Sequence, residues 1–473
     1  MTRSAPDQEA DRTLRHVRVT GPLTGGVRGH PFAPGCGTLP GYVFEEFLLD
    51  GEATAYRPAD GTTYDDSGHW DAVPNRSALY RTRILVVRPA DADGFSGTVL
   101  VNWQNVTRGF ETGAPPPDLV ALGLAWVGVS AQRAGHAGFP GAEACALKGW
   151  DPERYGTLDH PGDDFSFDVF TQAARVASPD RIIPSDGVDP MAGLLVTRLL
   201  ATGTSQSALR LRSYIDAVHP LAHLFDGYFL TLDIGSGADL DTSDVPPHAP
   251  LTIPSQPVRI RNDLEVPVMV VNSESETLRL HAMRQPDSDR FRLWEIAGSA
   301  HISWSAAEML EIDRQLDAMG IDPASGMAHR NADTNVVSHA PVVRAALRHM
   351  LRWLDGHPPP HHPLIEIEPG EPPSIQRDEH GNARGGVRLP DMDVPLAQHC
   401  GLRPNESDIL ARISGSSVPF SEGELQALYS GRSDYLSRHG QAVDAAVTAG
   451  VLVDEERSAM MAGAQAAAAR VLR

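Results

Sequence analysis

Ser205 lies in the stretch LLATGTSQSALR (residues 199–210), between a short apolar run and the beginning of a helical pattern. A serine that attacks an acyl carbon needs a tight turn between a strand and a helix. Such a turn exposes the hydroxyl and aims backbone N–H groups at the developing oxyanion. The usual pattern is G-x-S-x-G, and here Ser207 replaces the last glycine. The motif by itself leaves two interpretations open, a nucleophile and a serine in a structural turn.

Two downstream segments carry the residue types that would complete such a site. VPVMVVNSESETLRL (266–280) is typical of a buried strand followed by Glu274 and Glu276, and DRFRLWEIAGSAHISW (289–304) of a strand, a glycine turn and His301. Taken singly, each glutamate also fits a solvated loop and the histidine a capping or core position. The order serine, acid, histidine favours a catalytic triad. Glu276 occupies the usual position of the acid, and Glu274 is the alternative.

Backbone donors for the oxyanion are expected from two loops. The first donor is the N–H of the residue after the nucleophile, Gln206. The second is expected from residues 104–109, which follow the apolar strand GTVLVNW. Asn105 and Gln104 are both candidates there, and we take Asn105 as the donor. Removing one such donor typically lowers turnover roughly 10²–10³-fold.

The elements that must position these residues follow from the hydrophobic pattern. Residues 42–103 contain strand-like segments, and 123–132 is a nearly continuous apolar run, typical of a strand covered on both faces. Helices are predicted at 166–178 and 340–356. Further strands are predicted at 196–202, 226–232, 266–271 and 291–296. Strands that alternate with helices indicate an α/β fold with a mostly parallel sheet and helices on both faces.

Composition disfavours several other chemistries. The chain has 473 residues and a net charge of −21, so nucleic acid and anionic membranes are poor partners, because both are polyanions. The single lysine, Lys148, lies outside any GxxxxGK[ST] pattern, which disfavours Schiff-base, Ser-Lys and phosphate-loop mechanisms. The three cysteines fit neither a disulfide framework nor a zinc pattern. With no apolar run of about 18 residues and no signal-peptide pattern, we expect a cytoplasmic protein that does not enter a membrane.

Two stretches rich in Asp or His deserve comparison with metal sites. LDHPGDDFSFD (158–168) matches neither EF-hand nor HExxH spacing and is typical of a polar turn before a helix. HPPPHHP (357–363) is typical of a stiff, extended connector because of its prolines. We therefore expect no metal and no other cofactor.

The chain resembles a family of large α/β-hydrolase-domain proteins whose nucleophile elbow reads G-x-S-Q-S-[AG], as GTSQSA does here. The resemblance extends over roughly residues 40 to 460. It includes YRTRILVVRPADADGFSGTVLVNWQNV, AWVGVSAQRAG, WDPERYGTLDHPGDDFSFDVFTQAARV, RFRLWEIAGSAH and GNARGGVRLPDMDVP. It implies esterase-type Ser-Glu-His chemistry without a cofactor. One departure is NWQN, where the family more often has Glu-Trp-Leu-Asn.

Together these features predict an α/β-hydrolase fold with three parts. A flexible segment is expected over residues 1–30, followed by the hydrolase core over 31–356. The core carries cap insertions near 133–195 and 234–265. A C-terminal extension over 357–473 is expected to pack on the core.

The expected function is hydrolysis of a carboxylic ester, lactone or thioester of a small-molecule acyl substrate. Ser205, His301 and Glu276 (or Glu274) would carry it through an acyl-enzyme. The same triad also fits an acyltransferase or cyclase, an amide hydrolase, and a lyase or C–C hydrolase. An alternative from another class is a non-catalytic binding protein that keeps the fold.

Overall fold

The structure is a computed structural model that describes residues 17–28, 39–183, 187–242, 256–302 and 333–472, with 314, 317 and 320. The chain divides into two compact units, Met1–Val268 and Met269–Arg473. Most of the flexible segment expected over residues 1–30 lies outside the described residues, as do residues 243–255 of the second cap insertion. The predicted domain boundaries stay predictions.

The first unit is built on a twisted arrangement of seven strands. They are β1 Arg18–Thr20, β2 Tyr42–Pro58, β3 Ala72–Pro89, β4 Thr98–Trp103, β5 Ala125–Val129, β6 Arg198–Thr204 and β7 Gly227–Thr231. Their order is β1-β2-β3-β5-β4-β6-β7. Strands β1, β2, β3 and β5 pair antiparallel, whereas β5, β4, β6 and β7 pair parallel. Strands β4, β5 and β7 are almost entirely buried, which accounts for their continuous apolar runs.

Short helices connect these strands. They are α1 Arg133–Ala137, α2 Leu147–Trp150, α3 Pro152–Tyr155, α4 Ser166–Arg175, α5 Gln206–Ser213 and α6 His219–Ala222. A π-helical turn, Tyr214–Val218, joins α5 to α6. The predicted helix at 166–178 is confirmed and ends at Arg175. Aromatic rings fill the space beneath α4, where Phe170 packs against Trp103 at a centroid distance of 4.7 Å and against Phe225 at 5.5 Å.

The second unit begins within a strand. Its described elements are β8 Val268–Ser273, α7 Glu274–Leu280, β9 Phe291–Ile296, α8 Ala340–Leu354, β10 Ile367–Glu368, β11 Ser374–Ile375, α9 Pro390–Asp393, β12 Ala397–Cys400, α10 Ile409–Ile413, β13 Ser416–Pro419, α11 Glu422–Leu428, α12 Arg432–Thr448 and α13 Arg457–Val471. Strands β8 and β9 are neighbours and are buried along almost their whole length. The strands predicted at 266–271 and 291–296 and the helix predicted at 340–356 are confirmed.

The last hundred residues have a small core of their own. Buried Leu425, Tyr429 and Tyr435 pack there with two alanines of α13. None of the helices in the described ranges combines the length and the apolar character that crossing a membrane requires.

Candidate active site

The serine singled out in the sequence occupies a strained turn. Ser205 connects β6 directly to α5 and has φ +58° and ψ −116°. A non-glycine residue rarely adopts a positive φ, because its Cβ collides with the backbone. The strain and the position between a buried strand and a helix are the features expected of a nucleophile elbow.

Gly203 is required by close backbone contact. A Cβ at this position would lie 2.9 Å from the Ser207 carbonyl oxygen and 3.0 Å from the Ala208 nitrogen. Both neighbours are backbone atoms at the start of α5, so they cannot rotate away as a side chain would. The glycine therefore lets the helix begin immediately after the strand.

Ser207 replaces the usual second glycine and closes the turn through its hydroxyl. The Thr204 N–H donates to Ser207 Oγ over 2.8 Å, and Ser207 Oγ donates to the Thr204 carbonyl over 2.9 Å. One side chain thus satisfies both backbone groups of the residue before the candidate nucleophile. This explains how the turn accommodates the departure from G-x-S-x-G.

The elbow is also fixed to the neighbouring strand. The Ser205 N–H donates to the Thr231 carbonyl at the end of β7, over 2.9 Å. The Ser205 carbonyl accepts from the Leu209 N–H over 3.0 Å, which is the first hydrogen bond of α5. The backbone of Ser205 is therefore held on both sides, and its conformation is imposed by its surroundings.

Asn105 has different partners from those expected of an oxyanion donor. Its backbone N–H donates to the Thr112 carbonyl over 3.0 Å. Its side-chain amide donates to the Thr204 carbonyl over 2.8 Å, and its side-chain oxygen accepts from the Thr107 N–H over 2.9 Å. Since the backbone N–H expected to serve the oxyanion is already engaged, this geometry fits a residue that braces the elbow.

Gln206, the other expected donor, is the first residue of α5. Its backbone N–H has no partner within the helix by position, as holds for the first residues of any α-helix. Its buried side chain accepts from the Val106 N–H over 3.3 Å and donates to Gln132 Oε1 over 2.9 Å. The Gln206 side chain therefore links α5 to the loop after β4, and its N–H remains the candidate for the first donor.

A polar network that the sequence analysis missed extends from Gln132. Its amide nitrogen donates to Asp163 over 3.3 Å, and Arg210 of α5 donates to the same carboxylate oxygen over 3.1 Å. Burial raises the pKa of Asp163, but Arg210 and His160 outweigh it and hold that pKa below the ordinary value. The only sequence signal for this network was the position of Asp163 within a polar stretch. Nothing in the sequence indicated that Asp163 contacts residues 132 and 210.

The far end of the loop after β4 is anchored by a buried ion pair. Glu111 accepts from Arg83 of β3, and both side chains are almost completely buried. Burial raises the pKa of Glu111 above its ordinary value, although Arg83 opposes the shift. The loop is thus fixed to the antiparallel part of the sheet as well as to the elbow.

In the second unit, a glycine turn carries His301 out of β9. Gly298 has φ +73°, and a Cβ on it would lie 2.1 Å from the Met392 sulfur. The His301 backbone N–H donates to Ser275 Oγ over 2.8 Å. The start of α7 therefore positions the backbone of His301.

The His301 side chain is paired with Glu276. Nδ1 lies 2.7 Å from Glu276 Oε1, and the two side chains are 11% and 3% exposed. A carboxylate accepts hydrogen bonds, so the proton resides on Nδ1, and Nε2 is the basic nitrogen of the neutral ring. The pair therefore has the geometry of a base and the acid that orients it.

The second oxygen of Glu276 is held by the beginning of its own helix. Oε2 accepts from the Ser273 N–H over 2.8 Å and from Ser273 Oγ over 2.6 Å, as part of a capping box. A carboxylate in the first turn of a helix is also favoured by the helix dipole. The spacing Ser-x-x-Glu is visible in the sequence, and it is a signal that separates Glu276 from Glu274.

Glu274 is fully buried and contacts other groups. Its Oε1 accepts from Arg377 over 2.8 Å and from the Gly401 N–H over 3.0 Å. Its Oε2 accepts from the Gly298 N–H over 2.8 Å. Of the two candidate acids, the structure brings Glu276 to His301 and uses Glu274 to brace the turn on which His301 sits.

The acidic stretch over residues 158–168 has protein partners. Asp164 pairs with Arg76, and Asp168 accepts from the Thr54 N–H over 2.7 Å. Within the described ranges, one group has His and Glu atoms close enough to hold a metal ion, and it consists of His219, His223 and Glu265 in the first unit.

The sequence matches a family model described as "Alpha/beta hydrolase domain" over residues 19–462. Because the match spans almost the whole chain, the protein belongs to this family, and the resemblance noted in the sequence is confirmed. A search of curated protein sequences gave no match.

Solved structures that resemble the chain are distant. Esterase Est22 with p-nitrophenol is 11% identical with a TM-score of 0.25, and the match covers 50% of this chain and 64% of that one. Oligopeptidase B from Trypanosoma brucei is 13% identical, with a TM-score of 0.27 and coverages of 54% and 33%. Brefeldin A esterase, a bacterial homologue of human hormone sensitive lipase, is 12% identical, with a TM-score of 0.23 and coverages of 47% and 60%. The chain spans less than two thirds of each of these proteins, so the fold assignment rests on the family model.

Proposed function

We propose that the protein is a serine hydrolase that cleaves a carboxylic ester, lactone or thioester. Ser205 is the nucleophile, His301 the general base and Glu276 the residue that orients the imidazole. The observation that carries the proposal is the strained backbone of Ser205 between β6 and α5 in a chain of this family. The Glu276–His301 hydrogen bond supports it.

In the proposed reaction, Ser205 Oγ attacks the acyl carbon while His301 Nε2 accepts its proton. Glu276 keeps the other proton on Nδ1 and stabilises the imidazolium that forms. The Gln206 N–H, at the positive end of α5, donates to the tetrahedral oxyanion. The imidazolium then protonates the leaving group, and an acyl-enzyme remains on Ser205.

A water molecule, deprotonated by His301, releases the acyl group as a carboxylic acid. If an alcohol or amine replaces water, the same steps give an acyltransferase or cyclase, so the identity of the acceptor decides between these activities. We propose water as the acceptor and a small acyl compound as the substrate. A cytoplasmic location agrees with the few, widely spaced cysteines.

Labelling with a fluorophosphonate tests the proposal, because this probe reacts with serines activated by a base. We expect one adduct, which peptide mass spectrometry locates on Ser205 and which is absent from Ser205→Ala and His301→Ala. Ser207→Gly is the matched control and should still be labelled on Ser205. An adduct on another serine would contradict the assignment. A folded protein that is neither labelled nor active on any ester, thioester or amide would favour a non-catalytic binding protein.

A further inference from the structure

Two histidines and a glutamate of the first unit converge at one place on the surface. His219 begins α6, His223 follows its last residue, and Glu265 lies in the segment that precedes β8. One ligand atom from each residue lies within 4.8 Å of the others. His223 has a left-handed backbone conformation, with φ +42°, at the residue where α6 ends. The ring centroids of the two histidines are 5.6 Å apart.

His219 provides a second and independent observation. Its side chain is 2% exposed, and Nδ1 lies 2.9 Å from the hydroxyl of Tyr228. Its Nε2 is buried and has no hydrogen-bond partner, the nearest carboxylate oxygen being Glu265 Oε2 at 3.9 Å. Buried polar atoms are normally satisfied, so an orphaned ring nitrogen aimed at a glutamate calls for a ligand. A histidine that ligates a metal commonly uses its other nitrogen in a hydrogen bond like the one to Tyr228.

The charges around the cluster suit a cation. Glu265 contributes a carboxylate, and its Oε1 lies 2.9 Å from His223 Nδ1. The guanidinium of Arg261, in the same segment as Glu265, is already paired with Asp263 over 2.7 and 2.9 Å.

We propose that His219, His223 and Glu265 form a binding site for Zn²⁺. Two imidazole nitrogens and one carboxylate oxygen are ligands that zinc prefers, whereas Mg²⁺ and Ca²⁺ take oxygen ligands almost exclusively. Both His223 and Glu265 are 60% exposed, so water completes the tetrahedral coordination. This site differs from the sequence-based expectation that the protein has no metal.

The position in the sheet assigns the zinc a structural role. His223 precedes β7 and Glu265 precedes β8, so both lie at the amino-terminal ends of their strands. Ser205 follows the carboxyl end of β6, next to Thr231 at the far end of β7. The zinc would therefore join α6 to the segment before β8, near the hydrogen bond from the Tyr228 N–H to the Pro267 carbonyl. It would hold α6 and the segment before β8 together at the end of β7 away from Ser205.

Titration of the metal-free full-length chain with ZnCl₂, followed by calorimetry, tests this site. We expect one Zn²⁺ per chain and a rise in Tm with Zn²⁺ but not with Mg²⁺. His223→Ala and Glu265→Gln should each weaken binding at least about tenfold. Because both side chains are largely exposed, these variants should fold. Co²⁺ in place of Zn²⁺ should give the intense visible absorption of four-coordinate cobalt, and both variants should lose it.

His69→Ala is the matched control, because His69 is also exposed and lies near a carboxylate, that of Asp263 at 3.6 Å. Its affinity for Zn²⁺ should equal that of the unaltered protein. The proposal is overturned if the unaltered protein binds no Zn²⁺, if binding survives both His223→Ala and Glu265→Gln, or if His69→Ala weakens binding equally. Fluorophosphonate labelling of Ser205 should persist in all three variants, since the site does not touch the proposed catalytic residues.

Discussion

The turn that carries Ser205 and the turn that carries His301 both follow a buried strand, but different contacts hold them. At Ser205, the turn is held mainly by backbone atoms and small side chains within a few residues, together with the end of β7. At His301, the turn is held by buried carboxylates, and one of them, Glu274, accepts from residues more than a hundred positions away from it, Arg377 and Gly401.

This difference has a physical reason. In the proposed site, the turn at Ser205 holds one residue in a strained backbone conformation, which the close packing and the hydrogen bonds around it impose. In the proposed mechanism, the histidine turn must instead fix the tautomer and the orientation of a ring, which requires a negative charge at a defined atom. Glu276 supplies that charge, while Glu274 neutralises Arg377 and ties down the Gly298 and Gly401 N–H groups.

The largest expected effect is loss of the proposed nucleophile. Ser205→Ala should lower turnover of an acyl ester roughly 10⁴–10⁶-fold, because the members of a triad act as a unit. The free energy of unfolding should hardly change, since alanine carries the same strain at positive φ. Ser205→Gly should be equally inactive yet more stable by about 1 kcal/mol, because glycine adopts this conformation without strain. Retained turnover in either variant, measured against purified unaltered protein, would move the nucleophile elsewhere.

Replacing the acid of the proposed triad should have the next largest effect. Glu276→Gln should lower kcat about 10⁴-fold, because an amide permits the wrong tautomer of His301. Glutamine also completes a capping box, so Tm should change little. Steady-state kinetics and thermal unfolding of the same preparation check both expectations. Activity close to that of the unaltered protein would exclude Glu276 as the acid.

Glu274→Gln should have the opposite effect to Glu276→Gln, with a large loss in the free energy of unfolding and a small loss in kcat. The change removes charge-assisted hydrogen bonds from the Gly298 and Gly401 N–H groups and leaves Arg377 without its counter-ion. A hydrogen bond to a charged group contributes about 1.5–3 kcal/mol, so we expect a loss of that size in denaturant unfolding. In the fraction that stays folded, kcat should fall much less than in Glu276→Gln. The opposite ranking of the two variants would assign the acid to Glu274.

The comparison also explains what the sequence could predict. Strand positions followed from apolar runs, and Ser205, Glu276 and His301 were proposed as site residues because each comes soon after such a run. The ranking of Glu276 above Glu274 rested on distance from the strand, although the Ser273-x-x-Glu276 capping box offered a physical argument. These are local signals, which can be recognised from the sequence alone.

What escaped prediction depends on contacts between distant segments. Arg377 and Gly401, two partners of Glu274, lie more than a hundred residues away from it, and the Asn105 side chain donates to the Thr204 carbonyl 99 positions further along the chain. The proposed zinc ligands His219 and Glu265 are 46 positions apart, and only the folding of the first unit brings them together. The hydrophobic periodicity of the sequence carries no information about contacts between distant segments.

The smallest expected effect concerns the serine that replaces the second glycine of the elbow. Ser207→Ala loses both hydrogen bonds to Thr204, and two such bonds contribute roughly 1–3 kcal/mol to the free energy of unfolding. Because water can reach Thr204 and replace part of these bonds, we expect a loss of about 1 kcal/mol. Ser207→Gly loses the same bonds and also adds backbone freedom within the first turn of α5, so it should be less stable than Ser207→Ala by about 0.5–1 kcal/mol.

Turnover should change by less than about tenfold in both Ser207 variants, because Gly203 and the Thr231 carbonyl still impose the backbone conformation of Ser205. Urea unfolding combined with ester kinetics checks this ranking. Either variant could instead lose as much turnover as Glu276→Gln while keeping its stability. The Ser207 hydroxyl would then take part in the reaction, and backbone packing alone would not hold the elbow.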